Sequence, residues 1–320
     1  MSKLPNIWGD GGLFAFSGLD GPTSITEPFV LAMQTSPPGL RVRWLDRTLT
    51  FGEGLRLGEV RLAACDCADI DLLFPNGEKA RLRLAFLNKD VVLGKADPSI
   101  KPVLDGHNPE YGPYLALASR SEDTGLTFAL AHSAHSATEA EAQAHTGLDT
   151  DFEEVFASRL AFFEGLKLEG VRFPSTLAKA FALLKANVMT PQGPFSTRWN
   201  TPDRWPHRGN WLWDSALFAL GCLHLDPLLA QDALRAEFDR QRADGFIAGC
   251  YTPEKPEPEV EWTNPPMLAW AAWHLHQHYP DPDFLAEIYR GLCAYLAWDW
   301  DNRTVGRKGL LLGWLMWPLG

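Results

Sequence analysis

Two different periodicities divide this chain. From about residue 10 to 160 the apolar positions come in short runs, several of them alternating with polar residues at a period of two: FVLAMQ, LRVRWLD, TLTFG, ARLRLAFL, YLALASR and LTFALAHSA. Gly, Pro, Asn and Asp punctuate them, as in SPPG at 36–39, PNGE at 75–78 and DGHNPEYG at 105–112. Alternation places successive side chains on opposite faces, so ARLRLAFL puts Arg81 and Arg83 on one face and Leu82 and Leu84 on the other. Many short strands separated by turn signals predict an antiparallel β-sandwich over residues 1–165.

From Phe173 onward the apolar positions recur at helical spacing. The pattern predicts helices over PSTLAKAFALLKANVM, from near Trp211, over DPLLAQDALRAEFDRQ from Asp226, over NPPMLAWAAWHLHQHY from Asn264, and over DPDFLAEIYRGLCAYLAWDW from Asp281. The second and third helices, and the fourth and fifth, are joined by tight turns. Long connections at 190–210 and 242–263 separate the pairs, and long loops inside a helical domain are usually functional. Recurring at every second connection, they belong on one end of a stack of helical hairpins. The texture changes near 160–173, which predicts a β domain followed by an α domain at 173–320.

Composition narrows the function classes. The 320 residues carry a formal charge of −11, which argues against a nucleic-acid partner because phosphate binding needs a basic face. Five cysteines without a framework of spacings predict a reducing compartment. The N-terminal MSKLPNIWGDGG has neither a long apolar run nor a cleavage site, and no stretch reaches the ~18 apolar residues of a membrane span. The expectation is a cytoplasmic protein with no membrane partner; oligomeric state is left open. Tryptophan is the outlier: of 13, 11 lie at or after Trp199. Flat apolar rings in loops are platforms for sugar rings as well as core.

The stretch His207–Gly221, HRGNWLWDSALFALG, holds one acid, Asp214, at the mouth of an apolar helix. One reading is a helix N-cap, where Asp is favoured. The first long loop, TPQGPFSTRWNTPDRWPHRGN, interleaves Arg198, Asn200, Arg204, His207, Arg208 and Asn210 with Trp199 and Trp205. That mixture suits a polyol, whose hydroxyls need hydrogen bonds and whose ring needs an apolar face. It also suits an ordered loop held by ion pairs. The second loop carries Glu254, Glu257, Glu259 and Glu261 in a proline-stiffened, solvated run. His274 and His278 share a helix face but have no third ligand, so no metal is assigned. GDGG and GLDG lack a strand–helix phosphate context, and no G-x-S-x-G elbow occurs.

RWPHRGNWLWDSALFALG, QRADGFIAG and TNPPMLAWA, in this order, resemble the catalytic domain of glycoside hydrolase family 63, and in particular its bacterial mannosylglycerate and glucosylglycerate hydrolase branch, over roughly 173–320. The resemblance implies an (α/α)6 toroid with its site where the long loops gather. It implies hydrolysis of an α-glycosidic bond with inversion, without a cofactor, on a small carbohydrate such as a glycosylglycerate. Asp214 then aligns with the general acid, and the sugar contacts fall to Arg198, Trp205, His207, Arg208, Trp211, Trp213, Gln241 and Asn264. The family's general base is a glutamate several helices downstream. Here no glutamate follows Glu287, and about five of twelve helices are written before Gly320. The expectation is therefore a form truncated at its C-terminus and lacking the base. The alternatives are a carbohydrate-binding or inactive fragment without hydrolase activity, and a phosphorylase on the same fold. GLDGPT at 18–23 is expected over the mouth.

Overall fold

The computed structural model describes residues 6, 13–15, 29–42, 47–108, 110, 112–122, 125–204, 207–255 and 262–304. The chain divides into two compact units, one extending to Ala186 and the other beginning at Asn187. The first is β-sheet with three helices, the second mostly helical.

The first unit contains β1 (Leu13–Ala15), β2 (Val30–Thr35), β3 (Pro38–Val42), β4 (Arg47–Thr50), β5 (Arg56–Ala63), β6 (Cys67–Leu73), β7 (Lys79–Asn88), β8 (Val91–Ala96), β9 (Val103–Leu104), β10 (Tyr114–Glu122) and β11 (Gly125–Ser133). They form a five-stranded sheet in the order β1-β2-β3-β4-β9 and a six-stranded sheet in the order β10-β11-β8-β7-β6-β5, antiparallel throughout. Apolar residues of both sheets share one core. Phe51, after β4, lies 6.1 Å from Phe128 of β11, and Phe29, before β2, lies 5.9 Å from Phe86 of β7. The alternation of ARLRLAFL is realised in β7. Leu82 and Leu84 are buried, whereas Arg81 bonds Asp69 across the strand pair at 2.6 Å. A glycine in β8 makes room for the core: a Cβ on Gly94 would lie 2.0 Å from the Phe128 ring.

Two helices lie where the alternation predicts only strands: α1 (Ala137–Leu148) and α2 (Phe152–Glu164). Their signals are local. Ser136 accepts the Glu139 N–H and Asp151 accepts the Glu153 N–H, so each helix starts on a capping side chain. Ala140, Ala144 and Leu148 repeat at i, i+4, i+8 and are buried. A Cβ on Gly147 would meet Val91, Leu93 and Ala129 at 3.1 Å, which shows how closely α1 rides on the six-stranded sheet. Helix α2 is pinned beside it: Arg83 grips Glu153 with two bonds of 2.6 and 2.7 Å, and Arg159 donates to the Phe86 and Leu87 carbonyls at 2.8 Å. Covered on both faces, β11 is buried at every position but Thr127.

A third helix, α3 (Pro174–Ala186), completes this unit. The change of texture puts it with the α domain, but the compact units divide after it. Lys185 reaches Asp66 at 2.5 Å with both side chains buried, and its ammonium lies 4.5 Å from the Phe162 ring centroid. An ion pair this deep has already lost its water and holds only while both partners remain.

The second unit contains β12 (Val188–Met189), β13 (Trp199–Asn200), β14 (Asn210–Trp211), α4 (Leu212–Cys222), α5 (Pro227–Phe238), β15 (Cys250–Tyr251), α6 (Leu268–His278) and α7 (Pro282–Arg303). Asp226 and Asp281 cap α5 and α7, each followed by a proline at the first helical position, where no N–H is missed. Helix α6 starts at Leu268 rather than at Asn264, because the residue before a proline avoids the helical region and Asn264 is followed by Pro265 and Pro266. The short links α4–α5 and α6–α7 alternate with the long ones, as the sequence pattern predicts. No helix among the described residues is long and apolar enough to cross a membrane.

Replacing Lys185 by Met should destabilise the first unit by about 3–5 kcal/mol, because it leaves Asp66 buried without a counter-charge. Lys179→Met, on the exposed side of α3, should change stability by less than about 0.5 kcal/mol. Urea denaturation of both variants checks this, and equal effects would remove the ion pair as the anchor of α3.

Candidate active site

The second unit is organised by two short ribbons. Strand β12 pairs with β13, and β14 pairs with β15 through Asn210↔Tyr251 and Trp211↔Cys250. The second ribbon joins the long segment 187–211 to the long segment 239–267. Gly209 makes the approach possible: its φ is +142°, and a Cβ there would lie 2.9 Å from both the Cys250 sulfur and the Tyr251 carbonyl oxygen. Gly249 accepts the Leu212 N–H at 3.3 Å and donates to Trp262 at 2.8 Å, and a Cβ on it would collide with the Trp262 ring at 2.2 Å. Both long loops therefore gather where α4 begins.

Asp214 lies in the first turn of α4. The N-cap is Trp211, which makes no side-chain capping bond, so Asp214 is the third helical residue and not the cap. Its carboxyl is half buried, and burial raises its proton affinity above the ordinary aspartate range. Its own backbone N–H, the nearby His207 and the Trp213 indole all favour the anion, but less strongly. Around it, Trp211 lies 6.1 Å from Trp262 and 6.2 Å from His207, ring to ring. Trp213 is 41% exposed. The result is a carboxyl biased toward its protonated form, with one tryptophan closed into a corner and another open to solvent.

A second acid belongs to this place. Glu237, in the last turn of α5, is 0% exposed, and neither of its oxygens has a hydrogen-bond partner of normal geometry. Burial pushes its pKa up to about 7; Ser215 and Asn210 offset this in part, and the charge of Asp214 adds to it. Asn210 donates to the Ser215 hydroxyl at 3.0 Å, with both residues buried. Beyond it the Tyr295 hydroxyl meets Thr263 at 2.8 Å and donates to the Asn264 carbonyl at 3.1 Å. Arg303 bonds Asp299 at 2.8 Å and the same carbonyl at 3.0 Å. A polar seam thus runs through the helices behind Asp214.

Residues 207–318 match the family model of the Mannosylglycerate hydrolase MGH1-like glycoside hydrolase domain. Over these residues the chain is similar to a glycoside hydrolase domain. The match starts at His207, at the head of the stretch that carries Asp214, and takes in α4 to α7.

The predicted site residues separate into two groups. His207, Trp211 and Trp213 gather about Asp214. His207 is exposed and shares a 3.1 Å contact with Asp203 through Nδ1. Arg208 is partly buried and faces the charge of Glu254 on the second loop. The donors of the others are engaged in the scaffold. Arg198 bonds Asp226 at 3.0 Å and Asp232 at 2.7 Å, Gln241 donates to the Gly245 and Gly291 carbonyls at 3.0 and 2.9 Å, and Asn264 donates to the Gly249 carbonyl at 3.1 Å. Trp205, Glu257, Glu259, Glu261 and GLDGPT lie outside the described residues. The His278 ring bonds the His274 carbonyl at 2.8 Å, and no group of three or more His, Cys, Asp or Glu among the described residues is placed to hold a metal.

Sequence reasoning missed Glu237, although a signal was present. Ala230, Ala233 and Leu234 form the buried stripe of α5, and Glu237 occupies the next position of that stripe. An acid on the apolar face of an amphipathic helix is the exception that marks such a residue.

Because the folded-state pKa of Glu237 lies above its ordinary 4.5, the native state binds the proton more tightly than the unfolded one. The contribution of Glu237 to stability should be greatest below pH ~4.5 and fall by about 3 kcal/mol as the pH rises through 7. Glu237→Gln should remove most of that fall. Urea titrations of both proteins at pH 4.5 and 8 check this, and parallel losses would mean that Glu237 does not ionise in the window.

Proposed function

We propose that this chain carries the acid half of an inverting α-glycosidase that hydrolyses a small α-glucoside or α-mannoside, such as a glycosylglycerate. The observation that carries the reading is a half-buried Asp214, its proton affinity raised by burial, at the loop-gathered end of a segment that matches the MGH1-like glycoside hydrolase domain, beside an open tryptophan. In the inverting reaction a carboxylic acid protonates the leaving oxygen while a carboxylate draws a proton from water on the opposite face of the sugar, about 6.5–9.5 Å away. Asp214 is the donor. The exposed face of Trp213 stacks on the sugar, and His207 lies on the leaving-group side.

Glu237 is not the base. It is fully buried and shares the same helix-hairpin end as Asp214, whereas the base must touch water across the ring. Asp299 is buried against Arg303. We therefore place the base outside the described acids behind Asp214. An anionic aglycone would pair with one of the first-loop arginines, Arg198, Arg204 or Arg208. In this reading the first unit is a β-sandwich, and the α4–α5 and α6–α7 hairpins are the opening hairpins of an (α/α)6 toroid.

Asp214→Asn should lower turnover of α-glucosylglycerate or α-mannosylglycerate by about a thousandfold while leaving the thermal transition in place. Unchanged turnover would refute the acid assignment. Trp213→Ala should weaken binding of the same glycosides about tenfold. Sugar binding with no turnover in the wild-type chain would favour a carbohydrate-binding role over hydrolysis.

A further inference from the structure

Helix α4 starts without a side-chain cap of its own, since Trp211 at the N-cap makes no such bond. The first amide N–H groups of a helix have no partner within it and must be met from outside. Here the Leu212 N–H, the first of α4, donates to the Gly249 carbonyl of the second long loop at 3.3 Å. The same carbonyl accepts the side-chain amide of Asn264 at 3.1 Å. Asn264 is buried, and its own carbonyl is gripped from α7: the Tyr295 hydroxyl donates to it at 3.1 Å and Arg303 at 3.0 Å. Thr263 meets the Tyr295 hydroxyl at 2.8 Å, and the buried Asp299 holds Arg303 at 2.8 Å. Pro265 and Pro266 follow Asn264, and their fixed φ stiffens the backbone that carries it. A chain of hydrogen bonds therefore runs from α7 through Asn264 and Gly249 to the first turn of α4.

We propose that Asn264 is a positioning residue for Asp214: by holding the Gly249 carbonyl against the Leu212 N–H, it sets the first turn of α4 and with it the place of the carboxyl two residues on. The inference rests on Asp214 being the general acid. The family resemblance makes Asn264 a sugar contact, but its amide is turned onto a backbone carbonyl, and that carbonyl caps the helix that bears the acid. Asn264 acts only through Gly249 and α4. A misplacement of about 1 Å at a reacting group costs on the order of a hundredfold in rate, even when its origin is remote. Buried hydrogen-bonded groups act as a unit, so loosening the grip of α7 on the Asn264 carbonyl reaches the same turn.

The test combines amide hydrogen exchange and kinetics on the full chain carrying Asn264→Ser, which is too short to reach the Gly249 carbonyl. The Leu212 amide should exchange about tenfold faster than in the wild type, while the Ala219 amide, two turns further along α4, keeps its rate. With α-glucosylglycerate as substrate, kcat should fall roughly tenfold to a hundredfold and KM should stay unchanged. An unaltered Leu212 exchange rate overturns the proposal. So does equal acceleration at Leu212 and Ala219, which marks a residue that stabilises the whole unit and aims nothing. A raised KM with unchanged kcat also overturns it, because it makes Asn264 a sugar contact. Tyr295→Phe is the milder variant should Asn264→Ser not fold: it removes one donor to the Asn264 carbonyl and should speed Leu212 exchange about threefold, and no change there overturns the clamp. Normal turnover in Asp214→Asn would instead overturn the acid assignment. The exchange measurement needs no turnover, so the two failures are distinguishable.

Discussion

Two backbone pairs, Asn210 with Tyr251 and Trp211 with Cys250, tie the long loops of the second unit together at the start of α4. Everything at the site depends on that ribbon. It fixes Trp211 as the last extended residue before the helix, which sets Asp214 in the first turn instead of at the cap. It draws Gly249 under the Trp262 ring and so brings the second loop against the first. Both glycines at the crossing, Gly209 and Gly249, lie where a methyl group would strike a neighbour, so the ribbon tolerates little substitution there.

The electrostatics follow from the same packing. A helix N-terminus favours an anion, and an isolated Asp214 in its first turn would be expected to lose its proton easily. Burial outweighs this here, because the carboxyl is about half withdrawn from water. Elsewhere in the same unit, the partly buried Asp232 and the exposed Glu287 are satisfied by Arg198 and Arg235. The contrast is one of partners: Asp232 and Glu287 have arginines, whereas Asp214 and Glu237 form no ion pair with an arginine among the described residues.

Much of this was legible from residue patterns. Period-two alternation gives the strands, as Leu82 and Leu84 against Arg81 illustrate, and the Asp-Pro starts give α5 and α7. The alternating loop lengths set the two long loops apart from the tight hairpin turns, and these loops meet at the β14–β15 pair. What was not legible had other causes. Helices α1 and α2 are short, and their small buried faces of alanine and phenylalanine read as part of the strand-rich half. Arg198, Gln241 and Asn264 are polar residues in long loops, and sequence alone does not distinguish a donor that waits for a sugar from one that holds a carbonyl. Glu237 was hidden for the opposite reason: it lies in a charged helix where one more glutamate looks ordinary, and only its place on the buried stripe sets it apart.

The account turns on where a glycoside lies relative to Asp214. The most direct measurement is the crystal structure of the Asp214→Asn protein soaked with α-glucosylglycerate. The account predicts the glycosidic oxygen within hydrogen-bond distance of the residue-214 side chain, and the sugar ring against Trp213. A glycoside bound elsewhere, or one whose glycosidic oxygen points away from position 214, would contradict it.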